Sequence, residues 1–259
     1  MQKKILFRIG NSTISFLPWE TDGPSHDYIS LDIKGGMSVS ANLREAFNTH
    51  PLLSAPYDKA QVLIDTSTIL IPEDEFAKDE AATLFDHTLS GHLNEPKLHC
   101  VLGNHRVVAV FAVNKDIQTV MGDHFKEVAY QPVGLSVWQL CSPHTDLARQ
   151  RLYGYFHDSK VDVFCLNGHR FKFNNTFSAV HSHDALYYLL YAFRELGLKA
   201  DRDEVALLGS TPHMKWIEDN LKQYVGRTLT EEEAVGVIQE TAWPQMPLDM
   251  RCILQANRP

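Results

Sequence analysis

His181, His183 and Asp184 form the densest group of potential metal ligands in the chain. Imidazole nitrogens and carboxylate oxygens bind Zn²⁺, and a bound metal ion activates water for hydrolysis. Residues two apart diverge on a helix but can converge on a strand or a turn. The pattern therefore allows a metal-dependent hydrolase. The favoured interpretation is different: Ser182 caps a helix, Asp184 lies in its first turn, and the histidines are solvated.

The sequence contains no recognisable motif for nucleophilic catalysis. The chain contains neither a Gly-x-Ser-x-Gly elbow nor a Ser-x-x-Lys motif. Its four cysteines are scattered and form no Cys-x-x-Cys pair. Such spacing is typical of free thiols in a reducing cytoplasm, so we expect a cytoplasmic protein.

Composition limits the class of protein further. The 259 residues include 24 Lys and Arg against 32 Asp and Glu, a net charge of −8. An acidic balance argues against nonspecific binding to nucleic acid. The longest apolar run, from Val107 to Val113, is far shorter than the roughly 20 residues that a transmembrane helix needs. The apolar run after the basic start breaks at Arg8, which is too early for a secretory signal.

The elements of the first half begin with a predicted β-hairpin, Ile5 to Ile9 and Thr13 to Leu17, with a tight turn at 10–12. Apolar periodicity and breaker residues then predict a mixture of strands and helices. They are a strand at 29–33, a helix at 42–53, one long or two short strands at 61–71, an acidic helix at 72–85, a hairpin at 98–113, a helix at 115–125, and strand-like stretches at 128–130 and 135–141.

The pattern begins again after the polar segment 142–145, so we expect domains at residues 1–146 and 147–259. Asn167-Gly168 is the strongest hairpin signal in the chain. The predicted elements are strands at 152–156, 161–166 and 170–177, a helix at 182–196, a strand at 203–208, helices at 214–225 and 231–240, and an irregular tail from 243. On the 182–196 helix, we expect Tyr187, Tyr188 and Tyr191 to pack against a neighbouring element rather than a partner.

Both halves contain three antiparallel strands, a helix and then strands alternating with helices. This order resembles the actin-like ATPase superfamily, which duplicates a ribonuclease H-like domain. More narrowly, the chain is similar to an uncharacterised bacterial family of unknown function that resembles PilM-type pilus-assembly proteins. The resemblance covers nearly the whole chain. It implies an α/β fold of two ribonuclease H-like domains, each a mixed sheet flanked by helices, with a cleft between them.

The same resemblance implies where a nucleotide would bind. In active members, the first hairpin reads Asp-x-Gly followed by Ser or Thr, but Arg8 stands at the acidic position here. The second phosphate hairpin keeps an Asp and lacks glycine, and the nucleoside motif keeps one glycine of two. The candidate nucleotide contacts are Gly10, Asn11 and Ser12 on one hairpin, Asp158, Ser159 and Lys160 on the other, and Gly209 and Ser210 at the nucleoside.

These substitutions predict a non-catalytic scaffold or adaptor of the bacterial cytoplasm, without a cofactor. The pilus-assembly relatives imply protein partners, with a homodimer as one arrangement. The rival hypothesis is a nucleotide-binding protein or weak ATPase, in which Asp158 positions Mg²⁺ and Lys160 contacts phosphate of ATP. The third hypothesis is the metal-dependent hydrolase at His181, His183 and Asp184.

Overall fold

The structure, a computed structural model, describes residues 3–20, 23–24, 27–144, 149–236, 243 and 245–256. It divides into two compact units, the first ending at Val133 and the second beginning at Gly134. The sequence pattern placed the division after residue 146. In the structure, the preceding helix belongs to the second unit, because Ser136 donates a hydrogen bond to the Asp249 carbonyl and Trp138 packs edge-on against Phe171.

The first unit is built on a mixed sheet. Its elements are β1 (Lys4–Ile9), β2 (Thr13–Glu20), β3 (Gly23–Pro24), β4 (Ile29–Asp32), α1 (Val39–Thr49), β5 (Lys59–Ile64), β6 (Thr68–Pro72), α2 (Lys78–Thr88), β7 (Lys97–Leu102), β8 (Val107–Ala112), α3 (Lys115–His124) and β9 (Glu127–Pro132). In the main sheet, β1 pairs antiparallel with β2 and parallel with β5, β5 pairs parallel with β9, and β4 pairs antiparallel with β2. Phenylalanines of β1, β2 and α1 share the core between this sheet and its helices.

An insertion, residues 68–112, separates β5 from α3. Strands β6, β8 and β7 form an antiparallel sheet of their own, in that order. Helix α2 packs Ala81 and Phe85 against Val108 and Val110 of this sheet. The insertion therefore has a small core of its own within the first unit.

The second unit repeats the main sheet. Its elements are α4 (Val133–Cys141), β10 (Arg151–His157), β11 (Lys160–Asn167), β12 (Arg170–Ser178), α5 (Ser182–Glu195), β13 (Glu204–Gly209), α6 (Met214–Leu221), β14 (Thr228–Leu229), α7 (Glu231–Val235) and α8 (Leu248–Ala256). Strand β10 pairs antiparallel with β11 and parallel with β13, β13 pairs parallel with β14, and β12 pairs antiparallel with β11.

The two main sheets therefore share one order and one set of strand directions. The order β4-β2-β1-β5-β9 in the first unit matches β12-β11-β10-β13-β14 in the second. A β-β-β-α-β-α-β order with these pairings is the ribonuclease H-like arrangement that the resemblance implied. The α/β fold with two such domains is confirmed.

Two sequence predictions chose the wrong type of element. In addition, the helix expected at 231–240 ends at Val235, and residues 237–240 lie outside the described part of the chain. The stretch 135–141 lies in helix α4 rather than in a strand. Residues 132–138 are all buried, and a continuous apolar run does not distinguish a helix from a strand by its periodicity. The tail from 243 contains helix α8, which buries Met250 and Leu254. Pro247 lies just before this helix, where a proline does not interrupt the hydrogen-bond ladder.

Candidate functional site

The turn between β1 and β2 holds the first group of predicted nucleotide contacts. The Gly10 amide donates to the Thr13 carbonyl at 2.9 Å, which closes the hairpin, and Asn11 and Ser12 are exposed. Arg8, at the position of the family's acidic residue, is buried within β1 beside Leu63 of β5. A guanidinium stays protonated and offers no electron pair to a metal ion. The acidic position of this hairpin thus has no ligand for Mg²⁺.

The turn between β10 and β11 holds the second group. His157 pairs with Lys160, so Asp158 and Ser159 alone form the turn, and both have left-handed backbone angles, with φ of 44° and 59°. Glycine is the usual residue in this conformation. Without it, two Cβ atoms stand on the turn and hinder close approach of its backbone to a phosphate.

His157, a residue that no sequence motif singles out, lies between two carboxylates of the second unit. Its Nδ1 is 3.3 Å from Asp158 Oδ2, and its Nε2 is 3.2 Å from Asp162 Oδ2. Thr176 donates to the other Asp162 oxygen at 2.6 Å, and the Tyr155 ring stacks on the imidazole. The signal in the sequence was an aspartate inside the apolar run 161–166, since a buried carboxylate needs a partner. The Asp158 side chain, only 2% exposed, belongs to this network.

The end of β13 holds the third group. Gly209 has φ of 76°, and a Cβ there would lie 2.3 Å from the Phe156 carbonyl oxygen, so only glycine fits. Its amide donates to Glu231 Oε2 at 2.9 Å. Thr230 places Glu231 there, because a capping box between Thr230 and Glu233 starts α7 at this point.

Glu231 is held from its other side as well. Arg251 of α8 donates to Glu231 Oε1 at 2.8 Å. A carboxylate between an amide and a guanidinium makes two charge-assisted hydrogen bonds. The amide that the resemblance assigned to a nucleoside is therefore used by a side chain of the same unit, while Ser210 beside it is exposed. This arrangement does not fit a nucleotide at Gly209 without displacement of Glu231.

The side chains of His181, His183 and Asp184 do not have the convergent arrangement that a metal site requires. Helix α5 begins at Ser182, with His181 as its N-cap residue and without a side-chain cap. The His183 ring packs against Trp216 of α6, with the ring centroids 4.5 Å apart. Among the described residues, no ligand atoms of His181, His183 and Asp184 converge as a metal-binding group.

The tyrosines of α5 divide into two kinds. Tyr188 stacks on Phe177 of β12, as the expected packing against a neighbouring element requires. Tyr187 is 60% exposed and Tyr191 is 43% exposed. For these two, the expectation of packing was wrong: their rings stack on each other, and the Arg194 guanidinium lies over Tyr191.

The duplicated sheet order and the paired hairpins define the class: a protein with the actin-like ATPase fold. It is similar to a solved protein of Bacteroides thetaiotaomicron, described as having an actin-like ATPase fold and unknown function. The TM-score is 0.86, with 22% identity over 98% of this chain and 96% of that one. It is also similar to the PilM–PilN type IV pilus biogenesis complex, with a TM-score of 0.62 and 11% identity over 99% of both chains.

The chain belongs to the family described as protein of unknown function (DUF3822), which matches residues 1–227. The resemblance seen in the sequence is thereby confirmed. No curated protein matches the chain. Every helix in the described part of the chain is too short or too polar to span a bilayer.

Proposed function

We propose that this protein is a non-catalytic actin-like adaptor that binds a protein partner. The observation that carries the proposal is the hydrogen bond from the Gly209 amide to Glu231. In place of a free amide, the strand end presents a carboxylate already bound to Arg251. A nucleoside at this position would have to displace Glu231 and break its two charge-assisted hydrogen bonds.

Two further features support the loss of nucleotide chemistry. The buried Arg8 cannot position Mg²⁺, and Mg²⁺ normally neutralises the charge of a transferring phosphoryl group. The turn at Asp158 and Ser159 lacks glycine. With these losses, the folded units keep surfaces that a protein partner can bind. The similar PilM–PilN type IV pilus biogenesis complex contains two proteins.

Thermal unfolding with millimolar Mg-ATP, Mg-ADP and Mg-GTP tests the nucleotide part. We expect that no nucleotide changes the unfolding temperature of the wild type, of Glu231→Gln or of Asp158→Asn. A ligand at about 100 times its Kd would add about 2.7 kcal/mol. A shift of several degrees in the wild type that is lost in Asp158→Asn would overturn the adaptor proposal in favour of the nucleotide-binding rival.

The partner is tested with purified components. The tagged chain is cross-linked in cells of its native host, the captured protein is produced separately, and the binary complex is measured by calorimetry. We expect saturable binding with a fixed stoichiometry. Sedimentation of the chain alone tests a homodimer as the other arrangement. The adaptor function would be contradicted if the chain is a monomer and no purified candidate partner binds it.

A further inference from the structure

The insertion carries a groove beside helix α2 with a volume of about 350 Å³. This volume lies at the lower end of the range of about 300–1,000 Å³ for binding pockets. Its floor contains the buried side chains of Ile71 and Ala81, and Leu84 extends the apolar surface while 47% exposed. Ala77, Ala81 and Leu84 follow the i, i+4, i+7 spacing of one face. The groove therefore offers a continuous apolar strip to an occupant.

The rim of the groove is acidic. Glu75 stands on the turn after β6, and Asp79 and Glu80 lie in the first turn of α2. All three are exposed, and within the described residues none of these carboxylates has an ion pair or a side-chain hydrogen bond. Lys78, the cation next to them in sequence, does not line the groove. Two acidic residues farther along the insertion are paired: Asp86 with Lys97, and Glu95 with His92.

A helix N-terminus explains only part of this arrangement. Negative side chains in the first turn favour the helix dipole, which accounts for Asp79 and Glu80. The same effect does not explain Glu75, which lies outside the helix, or the exposed Leu84 one helical turn beyond Glu80. An apolar floor with an uncompensated acidic rim is complementary to apolar side chains flanked by cations.

We infer that this groove binds a basic amphipathic segment of the partner, with leucine-like side chains on the floor and Lys or Arg against Glu75, Asp79 and Glu80. The inference rests on the proposed adaptor function and names the part of the partner that the chain recognises. Apolar burial supplies the affinity, and the carboxylates select a basic segment over an acidic one.

The probe is a fluorescein-labelled amphipathic peptide of leucine and lysine, with leucines at helical spacing, and the control peptide replaces lysine with glutamate. Binding to the full chain is measured by anisotropy, and the site is located by amide chemical-shift changes. We expect changes confined to residues 71–87 with the lysine peptide. Absence of binding, or changes spread over the surface, would overturn the inference.

Variants separate recognition by the groove from attraction to a chain of net charge −8. The triple variant E75Q/D79N/E80Q should weaken the lysine peptide about tenfold, which corresponds to about 1.4 kcal/mol. A matched control, D32N/D123N/E232Q, removes three exposed carboxylates elsewhere and should leave binding within a factor of two. Equal losses in both variants would overturn the inference. Thr83→Trp, at an exposed position on the groove, should block the peptide without a change in charge.

The same variants distinguish the two proposals. If the purified partner binds E75Q/D79N/E80Q as tightly as the wild type, the inference about the groove is wrong and the adaptor function stands. If no purified partner binds the wild type, the adaptor function itself fails. Thermal unfolding of each variant verifies that the loss of binding is not a loss of folding.

Discussion

The Gly209 amide nitrogen and the Glu231 carboxylate are 2.9 Å apart, and this bond joins the end of β13 to the start of α7. Glu231 also accepts a hydrogen bond from Arg251, so three elements of the second unit meet at one side chain. The end of β13 resembles a nucleoside-binding position, but this bond gives it a structural role.

Replacement of Glu231 tests that role. Glu231→Gln keeps the shape but loses the charge that strengthens both hydrogen bonds, and we expect a loss of about 1–2 kcal/mol in the free energy of unfolding. The measurement is thermal or urea unfolding. The exposed neighbour Glu232 provides the control, since Glu232→Gln should change stability by less than about 0.5 kcal/mol. Equal stability of the two variants would show that the bond contributes nothing.

Gly209 cannot accept a side chain. A Cβ would lie 2.3 Å from the Phe156 carbonyl oxygen and 2.8 Å from the Tyr155 ring, and the left-handed backbone adds its own penalty. We expect Gly209→Ala to lower stability by about 3 kcal/mol or more in urea unfolding. Gly122→Ala is the control: that position has open space and lies in helix α3, so alanine should stabilise it slightly. A neutral Gly209→Ala would mean that the strand end relaxes easily.

A glycine substitution in the turn at Asp158 and Ser159 should stabilise the protein. Ser159 is exposed and has φ of 59°, a conformation that costs a non-glycine residue about 1–2 kcal/mol. Ser159→Gly should therefore raise the unfolding free energy by about 1 kcal/mol. Ser178→Gly in strand β12, where glycine is unfavourable, should lower it. If Ser159→Gly destabilises the protein, the turn is not strained.

A buried ion pair anchors the start of the second sheet. Arg151 donates to Glu204 at 2.7 Å and to the Ala234 carbonyl at 2.8 Å, and the Glu204 side chain is 3% exposed. Among the described residues, Arg151→Met leaves the buried carboxylate with the more exposed Arg227, at 3.2 Å, as its one ion-pair partner, and should cost about 3 kcal/mol in urea unfolding. The double variant R151M/E204M should recover most of this loss. If it is no more stable than the single variant, the cost comes from lost packing instead.

The pKa of Asp203 links stability to pH. The Arg202 guanidinium, with the backbone amides of Lys199 and Gln150, lowers this pKa to about 2 from an ordinary value of 3.8. Because the folded-state pKa is depressed, the stabilisation is complete above about pH 4 and is lost as the pH falls towards 2. Asp203→Asn should lower stability at pH 7 by about 1–2 kcal/mol.

The pH profile is the decisive comparison for Asp203. As the pH falls from about 4 to 2, the difference in unfolding free energy between Asp203→Asn and the wild type should shrink. Asp201→Asn, at an exposed neighbour, should leave the profile unchanged. A difference that is constant from pH 7 to pH 2 would show that the charge of Asp203 does not contribute.

Local signals in the sequence predicted much of the secondary structure. Alternating strands and the turn at Gly168 predicted the β11–β12 hairpin, and Gly168 indeed has φ of 60°. The periodic face of α5 and Gly197 after it predicted that helix and its end. Local signals failed for α4 and α8, whose burial depends on distant residues such as Asp249, 113 positions from Ser136.

The sequence by itself determined the repeated order of strands and helices, because turn residues and apolar periodicity act over a few neighbouring residues. It also showed that the nucleoside motif keeps a glycine at 209 and that Arg8 replaces the acidic residue of the first hairpin. Only the tertiary structure decided that Glu231 would bond the Gly209 amide, that His157 would lie between two carboxylates, and that the rim at Glu75 and Glu80 would border an apolar groove. Hydrogen bonds and grooves depend on which atoms the fold brings within a few ångströms, and sequence spacing does not specify that distance.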